Sequence, residues 1–119
     1  MGCEVLMEEY VPLGHSEFSS VVNKFKNDKP DVIFSTVVGD SVVALHKQYR
    51  AAGLDPEKMP MCSLTTSENE VAAMGGDAAA GHLTSAPYFM VHESAENEKF
   101  VSAYKKRWGS DKVTHFVSE

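Results

Sequence analysis

The sequence predicts an α/β fold: a Rossmann-like βαβ parallel sheet with helices on both faces. Three observations carry that prediction. Helical and strand-like periods alternate along the chain. The run Val32, Ile33, Phe34 is continuously apolar, the pattern of a strand covered on both sides. Each strand–helix pair takes about 25 residues, in line with the size of a βα unit.

The elements follow in order. "CEVLMEEYVPL" reads as a strand that ends at Pro12 and Gly14. "SEFSSVVNKFKND" places Phe18, Val21, Val22 and Phe25 at i, i+3, i+4 and i+7, one face of a helix. Ser16 is its candidate N-cap, and Asn27-Asp28 with Pro30 stops it. "DVIFSTVV" is the second strand, and Asp40 or Ser41 caps the helix after it. Val42, Leu45, His46 and Tyr49 form that helix's inner face, with Gly53 as its C′ residue.

"MPMCSL" is a third strand. Ser67 and Glu70 make a capping box for a short helix that ends at Gly75-Gly76. "GHLTSAPYF" is a fourth strand, broken by Pro87. The last helix starts from Ser94, carries Phe100, Val101, Tyr104 and Trp108 on one face, and ends at Gly109.

Composition bounds what this fold can do. The chain has 119 residues, 43% hydrophobic and 24% charged, an ordinary globular balance and one domain's length. Its net charge is −6, and neither Lys24, Lys26, Lys29 nor Lys105, Lys106, Arg107 makes a basic stripe fit for nucleic acid. Cys3 and Cys62 lack metal-ligand spacing, and Cys62 reads as a small core hydrophobe. No apolar run reaches the ~18 residues of a membrane span. The opening residues lack the basic and apolar regions of a signal peptide. Both ends read as cut from a larger protein.

Ligands of open parallel sheets lie beyond the carboxyl ends of the strands, near helix N-termini. Four such corners are legible: Tyr10 to Ser16, Ser35 to Ser41, Ser63 to Ser67, and Ala86 to Phe89. They are rich in hydroxyls (Ser35, Thr36, Ser63, Thr65, Thr66), and helix starts add free N–H donors. Together these suit a small, neutral, polar ligand. The same residue types also serve caps and turns, so a purely structural role stands beside the functional one.

Other chemistry is not supported. Gly14, Gly39 and Gly53 form neither a dinucleotide fingerprint nor a P-loop. His46 sits on an apolar helix face and reads as a core residue. His15, His82, His92 and His115 have no metal-site spacing. No nucleophile elbow or acid–base constellation is present, so the expectation is a binding protein without catalytic, metal or cofactor residues.

The segments "DVIFSTVVGDS", "MPMCSLTTSENEV", "GDAAAGHLTSAPYF" and "EKFVSAYKKRWG" resemble the second lobe of type I periplasmic binding proteins. Within that family they look like the branch named for short-chain amides and urea. The resemblance implies that residues 1–119 form one C-terminal-type α/β lobe of a two-lobe protein. The parent would be periplasmic and would deliver its solute to an ABC-transporter permease. The solute would be a short-chain amide, urea or a branched-chain amino acid.

The alternative it implies is a lobe of a cytoplasmic amide sensor acting through a protein partner. The implied ligand-binding residues are Thr36, Val37, Val38, Gly39 and Asp40 after the second strand, Thr65 and Thr66 after the third, and Ser16 in the Pro12 to Glu17 loop. In amino-acid-binding relatives a carboxylate stands where this chain has Thr65 and Thr66. A hydroxyl cannot pair a buried ammonium, so the resemblance points to a neutral amide or urea. The closing "THFVSE" resembles the start of a helix leading back to the hinge. A lobe parted from its mate exposes its cleft, and self-association is expected through that surface.

Overall fold

A computed structural model describes residues 2–113. The closing stretch, residues 114–119, expected to begin a hinge-ward helix, lies outside the described residues. The elements are α1 (Ser19–Asp28), β1 (Ile33–Ser35), α2 (Asp40–Ala51), β2 (Met61–Ser63), α3 (Glu68–Met74), α4 (Gly76–Ala79), β3 (Leu83–Thr84) and α5 (Ala95–Trp108). The strands form one parallel sheet in the order β1-β2-β3. The α/β parallel-sheet class read from the sequence therefore holds.

The register aligns three rows: Ile33 with Met61; Phe34 with Cys62 and Leu83; Ser35 with Ser63 and Thr84. Ile33 and Met61 face the helices and join Phe18, Val22, Phe25, Leu45, Tyr49 and Met59 in the core. Tyr49 is completely buried, and its hydroxyl donates to the Met59 carbonyl at 2.8 Å. A second small cluster, Val42, Met74 and Ala78, joins α2 to α3 and α4. The inner faces expected for α1 and α2 are those that pack.

The opposite sheet face is open. Phe34 is 66% exposed and Leu83 60%. The apolar run at Val32–Phe34 thus has cover on one side only among the described residues. Side chains alternate across a strand, so Phe34 turns outward where Ile33 and Ser35 turn in.

Several local expectations are corrected. Residues 3–13, read as a strand, have no ladder partner and no regular structure; only Met7 and Val11 pack against the core. A strand needs a neighbour for its N–H and C=O groups, and none flanks this segment.

The α1 N-terminus is not capped by Ser16. Gln48 reaches over from α2, accepting from the Phe18 N–H at 2.8 Å and donating to the Ser16 carbonyl at 2.7 Å. Glu17 takes the Ser19 N–H at 2.9 Å. For α2 the N-cap position is Gly39, at φ 61°, rather than Asp40 or Ser41, which lie inside the helix.

Other signals hold as read. The Ser67–Glu70 capping box is formed in full. Gly53 follows α2 at φ 73° and bonds back to Arg50. Ser94 caps α5 through the Asn97 N–H at 3.1 Å. Gly81 sits at φ 83° against Pro56, whose ring lies 2.8 Å from where a Cβ would stand, so no side chain fits there.

The fourth strand is reduced to β3, two residues long. The α5 stripe is not core: Phe100 is 41% exposed and Trp108 58%, and the one buried residue of that helix is Asn97.

Candidate functional site: the corners beyond β1 and β2

The parallel pairing of β1 and β2 brings their C-terminal corners side by side, and hydroxyls tie them together. Thr65 Oγ1 donates to the Val37 carbonyl at 2.5 Å. Thr66 Oγ1 donates to Ser63 Oγ at 2.9 Å, and Ser63 Oγ also accepts the Thr65 N–H at 3.1 Å. The third corner joins through Thr84, whose hydroxyl donates to the Thr66 carbonyl at 2.6 Å. The Ser85 N–H adds a bond to the Ser63 carbonyl at 3.0 Å. Ser63 and Thr66 are buried, so these bonds are made out of water and fix the corner geometry.

In front of this network lies a groove of about 130 Å³. One wall is the β1 corner, Thr36, Val37 and Val38, with Ser41 of α2. The facing wall is the irregular segment from Glu9 to Leu13. At about 30 Å³ per water, the groove suits one small solute.

Its electrostatics are close to neutral. Glu9, the one carboxylate in the lining, is paired with Lys24, and the Tyr10 hydroxyl donates to Glu8. Ser41 is 2% exposed, and its Oγ has no hydrogen-bond partner. A buried hydroxyl left unpaired is costly, and a ligand polar atom in the groove would satisfy it.

The sequence-derived residues fall into three groups. Thr36, Val37 and Val38 line the groove. Gly39 and Asp40 are exposed at the turn into α2 beside it. Thr65 and Thr66 stand behind the wall: Thr65 holds Val37, and Thr66 is buried beneath it. Ser16 does not line the groove and contributes its carbonyl to the α1 cap.

Sequence reasoning passed over Ser41 as a site residue because a serine at a helix start reads as a cap. The corner read from Tyr10 to Ser16 is present in part: Tyr10 to Leu13 line the groove, and Ser16 does not. Glu68, the first residue of α3, was not among the residues singled out from the sequence. Both its carboxylate oxygens are buried without a hydrogen-bond partner.

His46 and His82 do not line the groove. The His46 ring is buried, Nδ1 lies 2.9 Å from the Val42 carbonyl, and burial lowers its pKa. His82 Nδ1 accepts the Met61 N–H at 3.0 Å, which places its proton on Nε2. Burial, then the nearby His46 and Arg50, push its pKa down to about 4. The two rings meet edge to face at 4.9 Å, and His82 packs likewise on Tyr49. This is a neutral structural cluster, as expected for His46. Among the described residues no three His, Cys, Asp or Glu side chains gather as a metal site would require.

A larger depression of about 470 Å³ lies on the outer side of α2, between Lys47, Arg50, Met74 and Asp77. It is open, and Arg50 spans it to Asp77 at 3.0 Å. It lies on the helices, and none of the buried side-chain atoms left without a hydrogen bond belongs to its lining. The smaller groove is the better candidate on chemistry.

A parallel α/β sheet with a small, uncharged groove beyond its strand ends is the design of a solute-binding lobe. The whole chain, residues 1–119, matches the family model of the periplasmic binding protein domain. The chain belongs to the periplasmic binding protein family, of type I. Among curated proteins it is similar to Leu/Ile/Val-binding protein homolog 6 of Brucella suis biovar 1 (strain 1330), 28% identical over 98% of this chain and 30% of that protein. The proteins of the same name from Brucella melitensis biotype 1 and Brucella abortus (strain 2308) match at the same identity and coverage. The chain thus spans about 30% of the length of these relatives.

Proposed function

We propose that this chain is the ligand-binding lobe of a periplasmic substrate-binding protein, and that its solute is a short-chain amide or urea. The observation that carries the reading is the unpartnered Ser41 hydroxyl in a groove without free charge. An amide or urea presents a carbonyl, which accepts from Ser41 and from first-turn N–H groups of α2. Its NH₂ groups donate to backbone carbonyls of the walls. The parent protein would hand the solute to an ABC-transporter permease, and it has no catalytic role in this reading.

A branched-chain amino acid is the second reading, for two reasons. The curated relatives are named Leu/Ile/Val-binding homologues. Glu68 holds a buried, unpartnered carboxylate that would complement an ammonium group.

Amide-proton NMR titrations with acetamide, urea and leucine at high millimolar test both. Shifts at Thr36 to Ser41 with acetamide or urea, and none with leucine, support the amide reading. Shifts with leucine alone, lost in Glu68→Gln, move the assignment to amino acids.

A further inference from the structure

One helix reaches both walls of the groove. Ser41, in the first turn of α2, belongs to the wall on the β1 side. Gln48 stands seven residues later on the same helix and on the same face. With a rise of about 1.5 Å per residue, the two positions lie roughly 10 Å apart along the axis.

The facing wall, residues 9–13, has no helix or strand of its own. Without a ladder to place it, its position depends on what grips it from outside. At its start Glu9 pairs with Lys24 of α1, and Val11 packs against the core. At its end the chain turns. The His15 N–H donates to the Pro12 carbonyl at 3.1 Å, and Gly14, at the third position of the turn, takes a φ of 77° that favours glycine.

That turn leads directly into the residues that Gln48 holds. Its Nε2 donates to the Ser16 carbonyl at 2.7 Å, and its Oε1 accepts the Phe18 N–H at 2.8 Å. The donor and the acceptor of one side-chain amide are thus both spent on backbone two residues apart. This fixes the segment in place and in direction. The His15 ring rests edge to face on Phe18 at 4.9 Å, and Phe18 is buried in the core. From Pro12 to Phe18 the chain is one braced hook, and Gln48 ties it to α2.

We propose that Gln48 is a positioning residue of the solute groove: through Ser16, Phe18 and the Pro12–His15 turn it sets the facing wall at a fixed distance from Ser41. The inference rests on the reading of this groove as the solute site. Gln48 does not line the groove, so it acts on the solute through the backbone that it holds. A helix that governs both walls gives a gap set before the solute arrives. A preformed gap suits a solute of few atoms, because ordering a loop on binding would cost more than so few contacts return.

The test compares the full chain with two variants. Gln48→Met keeps the length and helix preference of glutamine and removes both bonds. Gln48→Glu keeps the acceptor for the Phe18 N–H and loses the donor to Ser16. Backbone amide order parameters are read first, without solute. Residues 9–15 should stand near about 0.85 in the unaltered chain and fall below about 0.6 in Gln48→Met, with Gln48→Glu between them. Thr36 to Ser41 should keep their order. Loss confined to the first turn of α1, with residues 9–15 unmoved, makes Gln48 a helix cap alone and overturns the proposal.

The second reading is a titration with whichever of acetamide, urea and leucine moves the unaltered chain. The concentration for half-maximal shift of Thr36 to Ser41 should rise about fivefold in Gln48→Met, and less in Gln48→Glu. A loosened wall with an unchanged half-maximal concentration overturns the proposal equally. If no solute moves the unaltered chain, the reading of the groove falls, and the order parameters still decide whether Gln48 sets the wall.

Discussion

The Thr65 hydroxyl bonds to the Val37 carbonyl at 2.5 Å, across two strand corners 28 residues apart in the chain. That bond sets the position of one groove wall from behind. Specificity for a small solute would depend on where such backbone stands, and in the proposed reading Thr65 contributes by holding Val37.

Thr65→Val should cost about 1–2 kcal/mol in urea unfolding, because it leaves the Val37 carbonyl unpaired in a half-buried site. Thr65→Ser should retain most of that stability. The amide shifts of Thr36 to Ser41 on solute addition should weaken in the valine variant and persist in the serine one.

Ser41 makes the opposite trade. Its Oγ is buried without a partner, so Ser41→Ala should leave stability unchanged or raise it by about 1 kcal/mol. The same variant should lose most of the response to acetamide. A stable variant with an intact response would remove Ser41 from the site. Binding residues that carry a stability cost are a common arrangement.

How far the sequence exposed this site follows from what each signal encodes. Helix faces and the Ser67–Glu70 box were legible because they are local: residues three or four apart decide them. The α1 cap was not, because its partner Gln48 lies 30 residues on from Phe18 and no local pattern announces it. The segment 3–13 has the composition of a strand, yet pairing is a property of two segments. Val37 and Thr65 were both named from the resemblance to the family, but only the folded register shows that one supports the other.

Stability should depend on pH through His82. Its folded pKa, about 4, lies below the ordinary histidine value, so the unfolded chain binds the proton more tightly. Stability is then flat above about pH 6.5 and falls as pH drops from there toward 4. A shift of this size corresponds to at most about 3 kcal/mol, and to less at a half-buried ring. His46, lowered by burial, adds in the same direction. The midpoint of urea unfolding measured from pH 8 to 4 should show this fall. His82→Asn keeps an acceptor near the Met61 N–H and should flatten the profile.

Lys29 ends α1 at φ 48°, the one non-glycine residue in the left-handed region among those described. A Cβ makes that conformation unfavourable by roughly 1–2 kcal/mol. Lys29→Gly relieves it, at the expense of greater freedom in the unfolded chain. The side chain is exposed, so no packing is lost. The expected gain is about 0.5–1 kcal/mol in thermal or chemical unfolding, without effect on the groove.

The Asn97 anchor predicts a local rather than global loss. Asn97→Ala removes the partners of the Met90 and His92 carbonyls and of the Tyr88 hydroxyl together. Because α5 packs on no other element, the core of α1, α2 and the sheet has nothing to lose with it. Hydrogen exchange should therefore quicken in residues 88–108 by at least tenfold while β1, β2 and α2 keep their protection. Uniform loss across the chain would mean that α5 is bound to the body more firmly than its contacts show. The local outcome would identify Asn97 as the residue that sets where α5 points.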